Sequence, residues 1–194
     1  MWIVYRGFRQ RDARDELFIF GTLVLFNALG SFAYHGPSPV WSHWVHDLPA
    51  VGVPLFVAVH DLGLVRGWSV PRRLRLFGIL LTSLGIVLVA LPGATFTIAT
   101  ILIPLAALGE LAAYRAGFRP RPADGWSVWM AWWLVVIAAL VLAVVSFLLG
   151  RTASALCRPE SWLQLHAGWH VLSAIAAAAF AYAGLEHGLS RGDP

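Results

Sequence analysis

The sequence predicts an all-α protein, a polytopic membrane helix bundle of six transmembrane helices, and three observations predict it. Of its 194 residues 59% are hydrophobic and 12% are charged, about half the charged share of an average soluble domain, roughly 25%. Long apolar runs recur six times, bounded by Arg, Pro or Gly, and about 20 apolar residues suffice to cross a bilayer. The 14 basic residues are all Arg and cluster between those runs. Disorder, a collagen-like fibre and an ordinary soluble enzyme are excluded, and residues 1–194 read as a single integral-membrane domain. The net charge of +4 and pI near 10 do not argue for a nucleic-acid partner, which would need a basic stripe on a soluble face. The single cysteine, Cys157, excludes a disulfide framework and a Cys-based zinc ribbon.

The first run, 16–35, follows a leader carrying Arg6, Arg9, Arg11 and Arg14 and stops at Gly36-Pro37. A cleaved signal peptide ending near Ala28-Leu29-Gly30 is the competing reading; the long charged leader and the full spanning length argue against it. The second, 48–65, is short and contains Pro49 and Pro54, tolerated in membrane helices most easily near an end. The third, 74–91, meets the fourth, 94–114, through a tight Pro92-Gly93 turn. The fifth spans 126–150. The sixth, 162–189, contains the Ala-rich stretch 174–179, suited to close packing through small residues. Trp41, Trp44, Trp68, Trp126, Trp129 and Trp162 fall near predicted ends, where indole rings favour the interface.

Arg and Lys accumulate on the cytoplasmic side of membrane proteins. Twelve of the arginines lie in the leader, in the connection with Arg66, Arg72, Arg73 and Arg75, in that with Arg115, Arg119 and Arg121, and in the tail at Arg191; only Arg151 and Arg158 lie in the alternate connections. That alternation predicts cytoplasmic N- and C-termini, with 36–47, 92–93 and 151–161 outside. The Arg-only, Ala- and Trp-rich composition suits a GC-rich bacterial genome, and so the inner (plasma) membrane of a bacterium.

Polar residues inside a bilayer are costly and by default indicate a site. Asn27, Ser31 and His35 recur every fourth residue along one face of the first helix. His166 and His170, also four apart, stack two imidazoles on one side of the sixth helix, a spacing that lets two nitrogens converge on one ion. With a rise of about 1.5 Å per residue, His166 and His170 lie roughly 6 and 12 Å below the outer end of the sixth helix. His35 closes the first helix at the same outer end, and Asp47 opens the second. Asp61 lies about 21 Å deeper and reads as a solvated helix end. Glu110 reads as an interfacial partner of Arg115. His43, His46, His60 and His187 read as bystanders, least firmly for His43 and His46, which share the outer loop with the site. Three His nitrogens leave one tetrahedral position of Zn²⁺ open for water, the pattern of catalytic zinc.

The ordered set Ser31-x-x-x-His35, Asp47 near the next helix start, and His166-x-x-x-His170 near the last helix start resembles the CREST superfamily. This group holds the alkaline ceramidases, the progestin and adipoQ receptors and the Per1-like proteins, and the likeness is greatest to the alkaline ceramidase branch and its bacterial relatives. The resemblance implies a zinc-dependent membrane hydrolase with His35, His166 and His170 as metal ligands and Asp47 and Ser31 as catalytic residues beside the metal water. It also implies a core of seven helices, whose first has no counterpart here because only 15 residues precede the helix bearing Ser31. The expected activity is cleavage of a lipid amide, ceramide-like or another N-acyl lipid, drawn from the outer leaflet. Two other readings compete: a bis-His haem protein of electron transport, which needs His on facing helices, and a non-enzymatic receptor or transport protein with a structural metal. A nucleophilic serine hydrolase is weaker, since Ser31 lacks the G-x-S-x-G turn.

Overall fold

The computed structural model describes residues 14–119, 128–150, 154, 156 and 164–186. They are helical, with no strand among them, and six helices are long and apolar enough to cross a membrane. The chain is a multi-pass membrane protein. The residues group into two compact units, one holding the first four helices and the other the last two.

In the first unit, α1 (Arg14–His35) carries Asp15 and Glu16 in its first turn, matching the helix dipole, and ends on His35. It stops at Gly36, whose N–H bonds to the Phe32 carbonyl at 2.9 Å, followed by Pro37 and Pro39. Next comes α2 (Ser42–Val65). It starts six residues before the expected 48, so the connection shortens to 36–41. The extra turns, Ser-His-Trp-Val-His-Asp, are too polar to register as a membrane run, yet nothing in them opposes a helix. Similarly α3 (Val70–Ala90) begins before the expected 74, with Ser69 extended at its N-cap and Pro71 in its first turn, where the missing N–H is not needed. Gly93, at φ +91°, makes the turn into α4 (Thr95–Arg115).

The central element is α2, against which α1, α3 and α4 all pack. Phe20, Phe56 and Phe77, from α1, α2 and α3, form its aromatic core, with ring centres 5.3 and 5.4 Å apart, and Val51 is sealed beside them. Trp41 and Trp44 are exposed, while Arg72 caps the Trp68 ring at 4.5 Å.

The second unit pairs α5 (Val128–Gly150) with α6 (Leu165–Phe180), which runs on as a π-helical turn, Ala181–Glu186. Ala139 and Ala143 on α5, and Ala176 and Ala179 on α6, are buried, so the Ala-rich stretch serves close packing as its composition suggests. Trp133 meets Phe180 edge-on at 6.1 Å. The expected ends of the last helix at 162–163 and 187–189 lie outside the described residues, as do Trp126, Trp162, Cys157, His187, the Trp129 side chain and the arginines at 6, 9, 11, 121, 151, 158 and 191.

Candidate functional site

The first unit assembles its polar end where α1 crosses α2. A Cβ on Gly30 would stand 2.1 Å from the Val45 carbonyl oxygen and 2.7 Å from the His46 nitrogen, so only a hydrogen fits there. The crossing has a cause in the partner helix. Pro49 has no N–H to donate to the Val45 carbonyl four residues back, and that oxygen is turned toward Gly30 instead. The close approach sets His35 of α1 beside His46 of α2, the neighbour of Asp47. Gly30→Ala is therefore expected to cost about 1–3 kcal/mol by overpacking against backbone, whereas Gly85→Ala, whose new methyl would meet Leu48 at an ordinary 3.7 Å, should stay within about 0.5 kcal/mol of wild type. Equilibrium unfolding of the two variants in detergent checks the contrast.

Asp47 has both oxygens engaged. His46 Nδ1 lies 2.7 Å from Oδ1, and Thr95 Oγ1, at the start of α4, donates to Oδ2 at 2.7 Å. The His46 ring stacks on Tyr34 at 4.9 Å and takes the edge of His35 at 5.5 Å and 90°. His46, expected to be a bystander, thus stands between His35 and Asp47. A proton on its Nδ1 toward Asp47 makes Nε2 the basic nitrogen. Ser31 sits half-buried one turn before His35. Sequence reasoning missed His46 because it assigned 36–47 to a loop, and missed Thr95 because a helix-start threonine carries no signal of its own.

The second unit contributes the His pair. His166 and His170 occupy the first two turns of α6, their ring centres 5.0 Å apart and edge to face at 79°. Imidazoles bound to one tetrahedral Zn²⁺ at about 2.0–2.1 Å from each nitrogen have ring centres about 5 Å apart, so the pair fits a shared ion. Gly150 lets the end of α5 close on this turn, since a Cβ there would meet the His166 nitrogen at 2.5 Å. Phe147 supports the pair, packing on His166 at 6.3 Å and on Trp169 at 5.4 Å.

The opposite end of α2 corrects two expectations. Asp61 is not a solvated helix end; it is fully buried, and Arg119 Nη2 donates to its Oδ1 at 2.5 Å. The same guanidinium also holds Glu110, through Nη2 to Oε1 at 2.6 Å and Nε to Oε2 at 3.0 Å, so the partner of Glu110 is Arg119 and not Arg115. Burial alone would lower the Arg119 pKa, but the adjacent Glu110 and Asp61 carboxylates hold it above its ordinary value. His60 belongs to a second polar cluster at this end. Its Nδ1 lies 3.1 Å from Glu16 Oε1, and Arg73 binds the same carboxylate through two nitrogens at 2.7 and 2.8 Å. The Glu16–His60, Glu16–Arg73 and Asp61–Arg119 contacts join residues 44 to 58 positions apart, which no local pattern reveals. At the far end of α2 from Asp47, these ion pairs tie helices together.

Comparison with family models, curated proteins and solved structures returned no match.

Proposed function

We propose that the chain is a zinc-dependent intramembrane hydrolase of a lipid amide, its ion held by His35, His166 and His170, which can each offer one ligand nitrogen. The observation that carries the reading is the His166–His170 pair, whose 5.0 Å ring separation suits two ligands of one ion. The likeness of the ordered residue set to the alkaline ceramidases supports an amide substrate. The arginine distribution supports cytoplasmic termini, and with them a site open to the outer leaflet of a bacterial plasma membrane.

Bound by the three histidines, zinc would lower the pKa of a water toward neutrality and polarise a carbonyl. The remaining chemistry falls to the chain. Asp47, its oxygens held by His46 and Thr95, takes a proton from the attacking water. The C–N bond breaks as Asp47 returns that proton to the leaving amine, and the acyl part departs as a carboxylic acid. Ser31 donates a hydrogen bond to the oxygen that gains charge. His46 is a positioning residue, orienting Asp47 on one side and packing on His35 on the other.

Metal analysis of purified protein is the direct test. One zinc per chain is expected, lost together with cleavage of N-acyl lipids in His166→Ala and His170→Ala. Metal-free protein that still cleaves the amide would overturn the proposal, as would a purified protein that carries haem and absorbs visible light.

A further inference from the structure

Beside Asp47, in the first unit alone, α2 and α3 leave a cleft of about 380 Å³. Its walls are Trp44 and Leu48 on α2 and Leu81, Gly85 and Val89 on α3, with Pro92 at the end where Asp47 and His43 stand. Gly85 forms the floor, facing Leu48 with no side chain of its own. Apart from Thr82, whose hydroxyl donates back to the Gly78 carbonyl at 2.8 Å, the lining is apolar along its length and polar at the Asp47 end, the distribution a single lipid chain presents.

Its dimensions select among occupants. Leu81 and Val89 are eight residues apart, about 12 Å of helix, and half of a roughly 30 Å hydrocarbon core is about 15 Å. The cleft therefore runs the depth of one leaflet. That length suits an extended acyl chain of one leaflet lying lengthwise between α2 and α3. The polar end then discriminates between lipids. A carboxylate accepts hydrogen bonds and donates none. An amide-linked lipid offers its N–H and any neighbouring hydroxyls as donors, whereas the ester linkages of a glycerophospholipid present acceptors only.

We infer that the α2–α3 cleft is an acyl-chain slot for an amide-linked lipid, holding the N-acyl chain from Leu81 to Val89 and setting the amide at Asp47. The choice of an amide lipid as occupant rests on the proposed activity; the slot itself rests on shape and polarity. With the chain held there, the linkage lies at the carboxylate that the hydrolysis needs, and selection among lipids is made by chain as well as by headgroup.

Photolabelling tests it on the full chain in phosphatidylcholine nanodiscs. The probe is a ceramide with a diazirine in the middle of its N-acyl chain, and a phosphatidylcholine with the same group in one acyl chain is the second arm. The ceramide should label peptides around Leu81, Gly85 and Val89. Labelling should fall by about tenfold or more in Gly85→Leu and, independently, in Thr82→Trp, because each puts bulk into the slot. Ser83→Trp, on the exposed side of the same helix, should label as wild type. Zinc content should be equal in all four proteins, so a fold lost in one filled variant is visible and the other variant decides. Labelling unchanged in both filled variants, spread evenly over lipid-facing helices, or equally strong with phosphatidylcholine would overturn the slot. Because the diazirine stays in the acyl chain whether or not the amide is cut, absent turnover or absent zinc with site-specific labelling would remove the hydrolase reading and leave the slot standing.

Discussion

Asp47→Asn is expected to bind zinc like wild type while turnover of an N-acyl lipid falls by about 10²–10⁴-fold, the usual worth of a positioned general acid–base group. The substitution preserves shape and can still accept from Thr95, but it cannot take up a proton. His46→Ala should act differently. It removes the partner 2.7 Å from Oδ1 and the ring packed on His35, so the carboxylate survives but loses its orientation. Losses of about 10–100-fold are typical when a supporting partner of this kind goes. The two variants are separated by their pH profiles, since His46→Ala keeps the acidic limb set by Asp47 and Asp47→Asn abolishes it. Equal metal content, measured by elemental analysis, is required of Asp47→Asn. If both variants cleaved lipid at the wild-type rate in purified form, Asp47 would have no part in the chemistry.

What the sequence made legible follows from what each signal depends on. Helix number depends on apolar run length, a local sum, and all six helices appear at the expected places. Their starts depend on polar turns such as Ser42 to Asp47, which hydropathy discards although a helix accommodates them readily, and so α2 began early and His46 was left in a loop. The spacing of His166 and His170 was readable because both ride one helix, whose geometry fixes their separation. The long-range pairs were not readable. Arg73 and Arg119 counted correctly as charges beside membrane runs, but the same count concealed that each folds back onto buried acids, Glu16 in one case and Asp61 with Glu110 in the other. A charge at a helix end has two outlets, water or a partner from another helix, and only the packing of α1, α3 and α4 around α2 decides between them. The α1–α2 crossing lies between these cases. Gly30 and Pro49 are both visible in the sequence, but their relation, a carbonyl deprived of its helical donor facing a residue without a side chain, exists only once the two helices meet.

Arg119→Met is expected to be the most destabilising single substitution at the other end of α2. One guanidinium nitrogen serves Asp61 at 2.5 Å and Glu110 at 2.6 Å, and Asp61 has no exposed surface through which water could replace it. Removing one partner of a buried ion pair typically costs about 3–5 kcal/mol, because the remaining charge stays buried and uncompensated. Here two carboxylates would be left facing each other, which places the expected loss toward the upper part of that range. The same argument predicts a rescue. Asp61→Asn and Glu110→Gln, added to Arg119→Met, remove the orphaned charges and should restore at least half of the lost stability, since neutral replacement of a whole buried ion cluster is often close to neutral in effect. Equilibrium unfolding in mixed micelles measures both steps. A single variant within about 1 kcal/mol of wild type would show that water reaches Asp61, because an exposed pair is worth only about 0–1 kcal/mol. Zinc content gives the second readout. The network and the His35 end lie at opposite ends of the first unit, so a folded Arg119 variant should keep its metal, and loss of zinc at temperatures well below unfolding would mean that the Arg119 network also sets the geometry at Asp47.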